Sequence, residues 1–78
     1  MMSGKEAEEQ IRPGRYRHFK GKEYQVLCLA RHSETSESMV VYQALYGERG
    51  IWVRPANMWN EQVELDGRLM RRFERIGD

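Results

Sequence analysis

Arg31-His32-Ser33-Glu34-Thr35 puts an imidazole, a hydroxyl and a carboxylate into one short run, the residue types of a nucleophilic hydrolase. A triad needs its base and nucleophile to meet in space beside an oxyanion site, and neighbours in an extended segment point to opposite sides. His32 and Ser33 therefore do not pair simply. The run reads better as a polar loop, with Ser33 or Thr35 bonding backbone and Glu34 or Glu37 solvated. A small hydrolase built on His32 and Glu34 is the last of three functional readings, and no catalytic residue is assigned. His18, His32 and Glu34 also fall short of a metal centre, because nothing in their spacing enforces a shared ligand sphere. No metal or cofactor is expected.

The aromatic residues point elsewhere. Tyr16, Tyr24, Tyr42, Tyr46, Trp52 and Trp59 are a heavy load for so short a chain, and some must form the core. Strict alternation sets Tyr42 opposite Val41 and Trp52 opposite Ile51 and Val53. With Val41 facing inward, Tyr42 and Trp52 stand at the surface beside Arg31 and Arg54, with His32 at the rim. Flat apolar contact next to planar bidentate donors suits a carboxylate or a phosphate. The first reading is thus a non-catalytic binding module whose groove (Arg31, His32, Tyr42, Trp52, Arg54) holds an acidic or phosphorylated partner, whether peptide, nucleotide or protein. The competing structural reading has the rings capping the fold and the arginines stacked on them.

Charge is distributed less evenly than its total suggests. The net charge is +1, too small for a dedicated nucleic-acid binder. Yet Arg12, Arg15, Arg17, Lys20 and Lys22 follow one another with no acid between them, and Arg68, Arg71, Arg72 and Arg75 crowd the other end. If the first and last strands are neighbours, these groups merge. The second reading is a nucleic-acid accessory surface made of Arg15, Arg17, Lys20, Arg71 and Arg72, with Tyr16 and Phe19 interleaved for base stacking.

The elements that must position these residues are short. Pro13-Gly14 punctuates the chain, so residues 1–12 read as a flexible tail and 13–76 as one domain. Arg15–Phe19, Glu23–Arg31, Met39–Leu45, Ile51–Arg54, Glu61–Leu65 and Arg68–Phe73 all alternate as strands. In the second, Tyr24, Val26, Cys28 and Ala30 share a face; in the third, Met39, Val41 and Leu45 turn inward. Pro55 opens one helical turn over Ala56–Trp59, and Asp66-Gly67 is the strongest short-range hairpin signal in the chain. Five to six strands in 78 residues must curl to cover a core. The fold class is all-β, a small SH3-like, partly open barrel whose exposed edges would let the chain pair with itself as a homodimer. The longest apolar run, Val26 to Ala30, excludes a membrane helix. The acidic N-terminus is unlike a secretory signal, and Cys28, the single cysteine, reads as a buried thiol in a cytoplasmic protein.

Four blocks in order carry a resemblance: Pro13-Gly14-Arg15-Tyr16-Arg17-His18-Phe19-Lys20-Gly21, Ala30-Arg31-His32-Ser33-Glu34-Thr35, Val40-Val41-Tyr42-Gln43-Ala44-Leu45-Tyr46-Gly47 and Trp52-Val53-Arg54-Pro55. Over about residues 13 to 75 the chain resembles the small bacterial family catalogued as domain of unknown function 1653. The resemblance implies an SH3-type barrel in a bacterial cytoplasmic protein, sometimes beside other domains. It implies no activity and supplies no site residues.

Overall fold

The computed structural model describes residues 10–78; the flexible-tail reading of residues 1–9 lies outside the described residues. The alternating runs become β1 (Gly14–His18), β2 (Glu23–Arg31), β3 (Ser38–Ala44) and β4 (Ile51–Pro55). One helical turn, α1 (Ala56–Trp59), precedes β5 (Gln62–Leu65), β6 (Arg68–Arg71) and β7 (Phe73–Gly77). An antiparallel sheet runs in the order β4-β3-β2-β1-β7, and β5 pairs with β6 in a separate hairpin. The architecture is the expected small all-β fold, and it is partly open, because no ladder joins β4 to β7.

The strands among the described residues number seven because the expected last strand stops at Arg71 and another begins at Phe73. The Arg72 N–H bonds the Glu61 carbonyl and the Phe19 N–H bonds the Arg72 carbonyl, both at 2.9 Å. The chain thus leaves the hairpin and begins pairing with β1, at His18 opposite Phe73. Between β5 and β6, Asp66 (φ 53°) and Gly67 (φ 79°) make the two-residue turn that the Asp-Gly pair encodes.

The core collects Ile11, Tyr16, Val26, Val40, Tyr42, Ala56, Trp59 and Phe73. Burial of Ile11 starts the folded domain before Pro13, inside the expected tail. Trp59, fully buried, stacks on Phe73 with centroids 3.7 Å apart and planes 2° from parallel. Tyr42 (5.0 Å) and Tyr16 (5.5 Å) pack around the same indole. Pro55 makes this possible. Its ring sets φ at −55°, its missing N–H leaves no gap at an edge strand, and the turn after it swings Trp59 onto the sheet.

Two facings differ from strict alternation. On β2 the register shifts between Val26, opposite Tyr42, and Cys28, opposite Val41. One extra residue, Leu27, is a bulge that exchanges the faces of all that follows. Leu29 consequently packs on the core, and Cys28, expected to be buried, is exposed. On β3 the inward residues are Val40, Tyr42 and Ala44 rather than Met39, Val41 and Leu45. Their partners impose this, since Tyr42 faces Val26 and Ala44 faces Tyr24.

Replacing Trp59 with Ala removes the largest buried side chain, and such truncations cost about 3–5 kcal/mol. Urea unfolding of Trp59→Ala should show a loss of that size. A loss under about 1 kcal/mol would show that the stack is dispensable.

Candidate functional site

The core face of the sheet is covered unevenly, with Val40 and Tyr42 buried on β3 and Trp52 exposed on β4. Trp59 packs on Tyr16 and Tyr42, and Phe73 on Tyr42. Directly opposed residues share a face, so Trp52, opposite Tyr42, and Arg54, opposite Val40, stand on the core side. β4 is an edge strand, with no strand paired along its outer side among the described residues. Trp52 is 61% exposed, and the Arg54 guanidinium sits 5.7 Å from the Phe73 ring centre. The Leu45 N–H bonds the Glu23 carbonyl and so carries the next residue, Tyr46, to Tyr24. The two hydroxyls are 2.7 Å apart, the rings meet edge to face, and Lys22 Nζ lies 4.3 Å from the Tyr46 ring centre.

Two titratable groups at this opening are shifted by burial and by nearby charges. His18, edge-on to Phe73 at 5.0 Å, has its pKa pushed below 6.5 by burial and then by the positive charges of Arg72, Arg54 and Lys20. Its Nδ1 accepts the Lys20 N–H at 3.2 Å, which leaves the neutral ring's proton on Nε2. The Tyr24 hydroxyl is pushed up to about 12 by burial, then by its hydrogen bond to Tyr46, while Arg54 pulls it the other way. Arg54 is thus within electrostatic reach of both groups. The ion pairs among the described residues are Arg15–Glu23 (3.7 Å), Arg72–Glu61 (3.3 Å) and Arg75–Asp78 (2.8 Å). Neither Arg54 nor Lys22 takes part in one. Cations and ring faces converge here, without a base and nucleophile in contact.

The expected groove residues separate. Trp52 and Arg54 come together. Tyr42 shares their face, but that face is the core, and its ring is buried against Trp59 instead of standing at the surface. Arg31 pairs with Ser38, four residues along β3 from Tyr42 and so about 13 Å away. His32 holds a turn: its Nδ1 accepts the Glu34 N–H at 3.1 Å and its own N–H bonds the Glu37 carbonyl at 2.8 Å. Among the described residues, no three His, Cys, Asp or Glu side chains gather to hold a metal ion. Alternation missed Lys22, Tyr24, Tyr46 and His18 as site residues, because only the β2–β3 register brings the two tyrosines together.

The basic set also divides. Arg15 and Arg72 are held by Glu23 and Glu61, and Lys20 overhangs the Phe19 ring at 5.8 Å. Arg17 and Arg71, far apart in sequence, line one cleft of about 600 Å³ with His18, Phe19, Met70 and Glu74.

Comparison with known proteins agrees with the fold and adds no chemistry. The family model described as protein of unknown function (DUF1653) matches residues 14–75. The crystal structure of a DUF1653 protein from Bordetella bronchiseptica is 42% identical, with a TM-score of 0.82, covering 88% of this chain and 91% of that one. Among curated proteins none matches. No helix among the described residues is long and apolar enough to cross a membrane.

Two titrations test the electrostatics. Proton NMR of His18 should give a pKa below 6.5, and Arg54→Gln should raise it by removing a repelling charge. Because folding lowers this pKa, the unfolded chain binds the extra proton, and stability should decline as pH falls below 6.5. Tyr46→Phe should lower the Tyr24 pKa from about 12 in an ultraviolet titration. No movement in either variant contradicts the arrangement.

Proposed function

We propose that this chain, which belongs to the DUF1653 family, is a non-catalytic binding module that holds an acidic or phosphorylated segment of a partner at the exposed β4 edge of its core face. One observation carries the reading: Arg54, half-buried over Phe73, makes no hydrogen bond or ion pair among the described residues. Packing over the Phe73 ring holds the guanidinium in place, and a ligand oxyanion would supply acceptors for its unpaired N–H groups. Trp52, two residues along β4, and Tyr46 add exposed ring area, and Lys22 over the Tyr46 ring adds a second cation.

The edge of β4 suits an extended ligand. It is unpaired along the outside of the sheet, and Ile51, Trp52 and Val53 are each about three-fifths exposed. A strand laid against that edge gains main-chain hydrogen bonds while its acidic or phosphorylated side chain reaches Arg54. The lone free cysteine accords with a reducing cytoplasm as the setting.

The test is an NMR titration with inorganic pyrophosphate and with an acidic peptide bearing one phosphoserine. The Trp52 indole N–H and Arg54 Nε–H resonances should shift. Arg54→Gln should weaken binding about tenfold or more, the scale of a charged hydrogen bond. Shifts confined to other residues, or equal affinity in the variant, would overturn the reading.

A further inference from the structure

We infer that the cleft between β1 and β6 is a second site, one that takes a nucleotide unit of a single-stranded nucleic acid. The inference rests on how the arginines divide their work. Arg72 is spent on Glu61, and Arg75 on the Pro13 carbonyl (3.1 Å) and Asp78 (2.8 Å). Arg17 and Arg71 are exposed, make no hydrogen bond or ion pair among the described residues, and line the cleft together. β7 pairing with β1 and the β5–β6 hairpin bring them there from opposite ends of the chain. Two free guanidinium groups at one mouth are matched to a phosphate.

The remaining lining selects among phosphates. The volume of about 600 Å³ falls within the range usual for small-molecule sites, so the cleft admits more than a bare ion. Phe19 and Met70 give it an apolar wall; His18 backs Phe19 at 4.5 Å and the Lys20 ammonium overhangs the ring. An aromatic face beside mobile cations is how single strands are held without regard to sequence. Glu74 stands opposite Arg17 in the ladder and lines the same cleft. A carboxylate there repels a densely charged anion such as pyrophosphate. It tolerates a phosphodiester and can accept a base N–H, such as the ring N3–H of uracil or thymine. The ligand is therefore a base joined to a singly charged phosphate.

Fluorescence anisotropy with labelled octauridylate and octathymidylate, from about 50 to 200 mM salt, tests this, with uridine monophosphate as the free-nucleotide arm. Both strands should bind at low salt. Arg17→Gln with Arg71→Gln should flatten the log K against log salt slope by about 1.4, at about 0.7 per cation lost. Phe19→Leu should weaken binding about tenfold through lost stacking, whereas Arg31→Gln, an equal loss of charge at the far end of β2, should leave it unchanged. Absence of strand binding at low salt overturns the inference, as does uridine monophosphate binding without strand binding. A loss in Arg54→Gln equal to that in the double variant would also overturn it, by moving the contact to the β4 opening.

Discussion

Trp59 and Phe73 belong to elements that share no ladder. Trp59 ends the turn that follows β4, one edge of the sheet, and Phe73 begins β7, the other edge. Their parallel contact at 3.7 Å therefore spans the two margins of an open sheet. A barrel of this size ordinarily removes its edges by closing the hydrogen-bonded circuit. Here two rings bridge the gap, with Tyr16 and Tyr42 packed around the indole. Dispersion and apolar burial do the work of a ladder, and aromatic side chains bury enough area to make that substitution effective.

The same device explains why Trp52 stays exposed opposite a buried Tyr42. A ring bridge closes the sheet at one place only, so the residues of β4 beyond it keep their exposure. Phe73 then serves two purposes. One environment of its ring is the Trp59 stack, and around it lie the His18 edge and the Arg54 guanidinium. Arg54 is thereby placed by the core yet faces water, which is the condition for a preorganised cation with unused hydrogen-bonding capacity. The packing of the core and the placement of Arg54 are coupled through a single side chain.

Local signals made much of this legible. Asp66-Gly67 encodes a turn needing two positive φ values, and Pro55 both ends a strand and starts a helical turn; neither depends on distant partners. Trp52 and Arg54 could be placed together because they are two residues apart on one strand. Tyr42 could not be oriented, because its facing depends on its partner Val26 and on a bulge at Leu27 that no residue type announces. The same bulge turned Cys28 outward. Arg31 and His32 look close to the aromatic residues in the linear chain, but they lie at the far end of β2, where the turn uses His32 as a hydrogen-bond acceptor. Lys22, Tyr24 and Tyr46 converge only through the pairing of β2 with β3, a nonlocal fact. Arg72 marks a change of pairing partner, so the expected strand stops at Arg71 and a further strand runs on from Phe73 to Gly77.

The central claim is that one of the two tryptophans is sealed by the ring bridge while the other stands in a cationic opening. Collisional quenching by iodide and by caesium, read separately on Trp52 in a Trp59→Phe protein and on Trp59 in a Trp52→Phe protein, examines both halves at once. Trp52 emission should fall steeply with iodide and much less with caesium, and Trp59 should be shielded from both ions. Equal quenching of the two indoles, or caesium quenching Trp52 more effectively than iodide, would contradict the account.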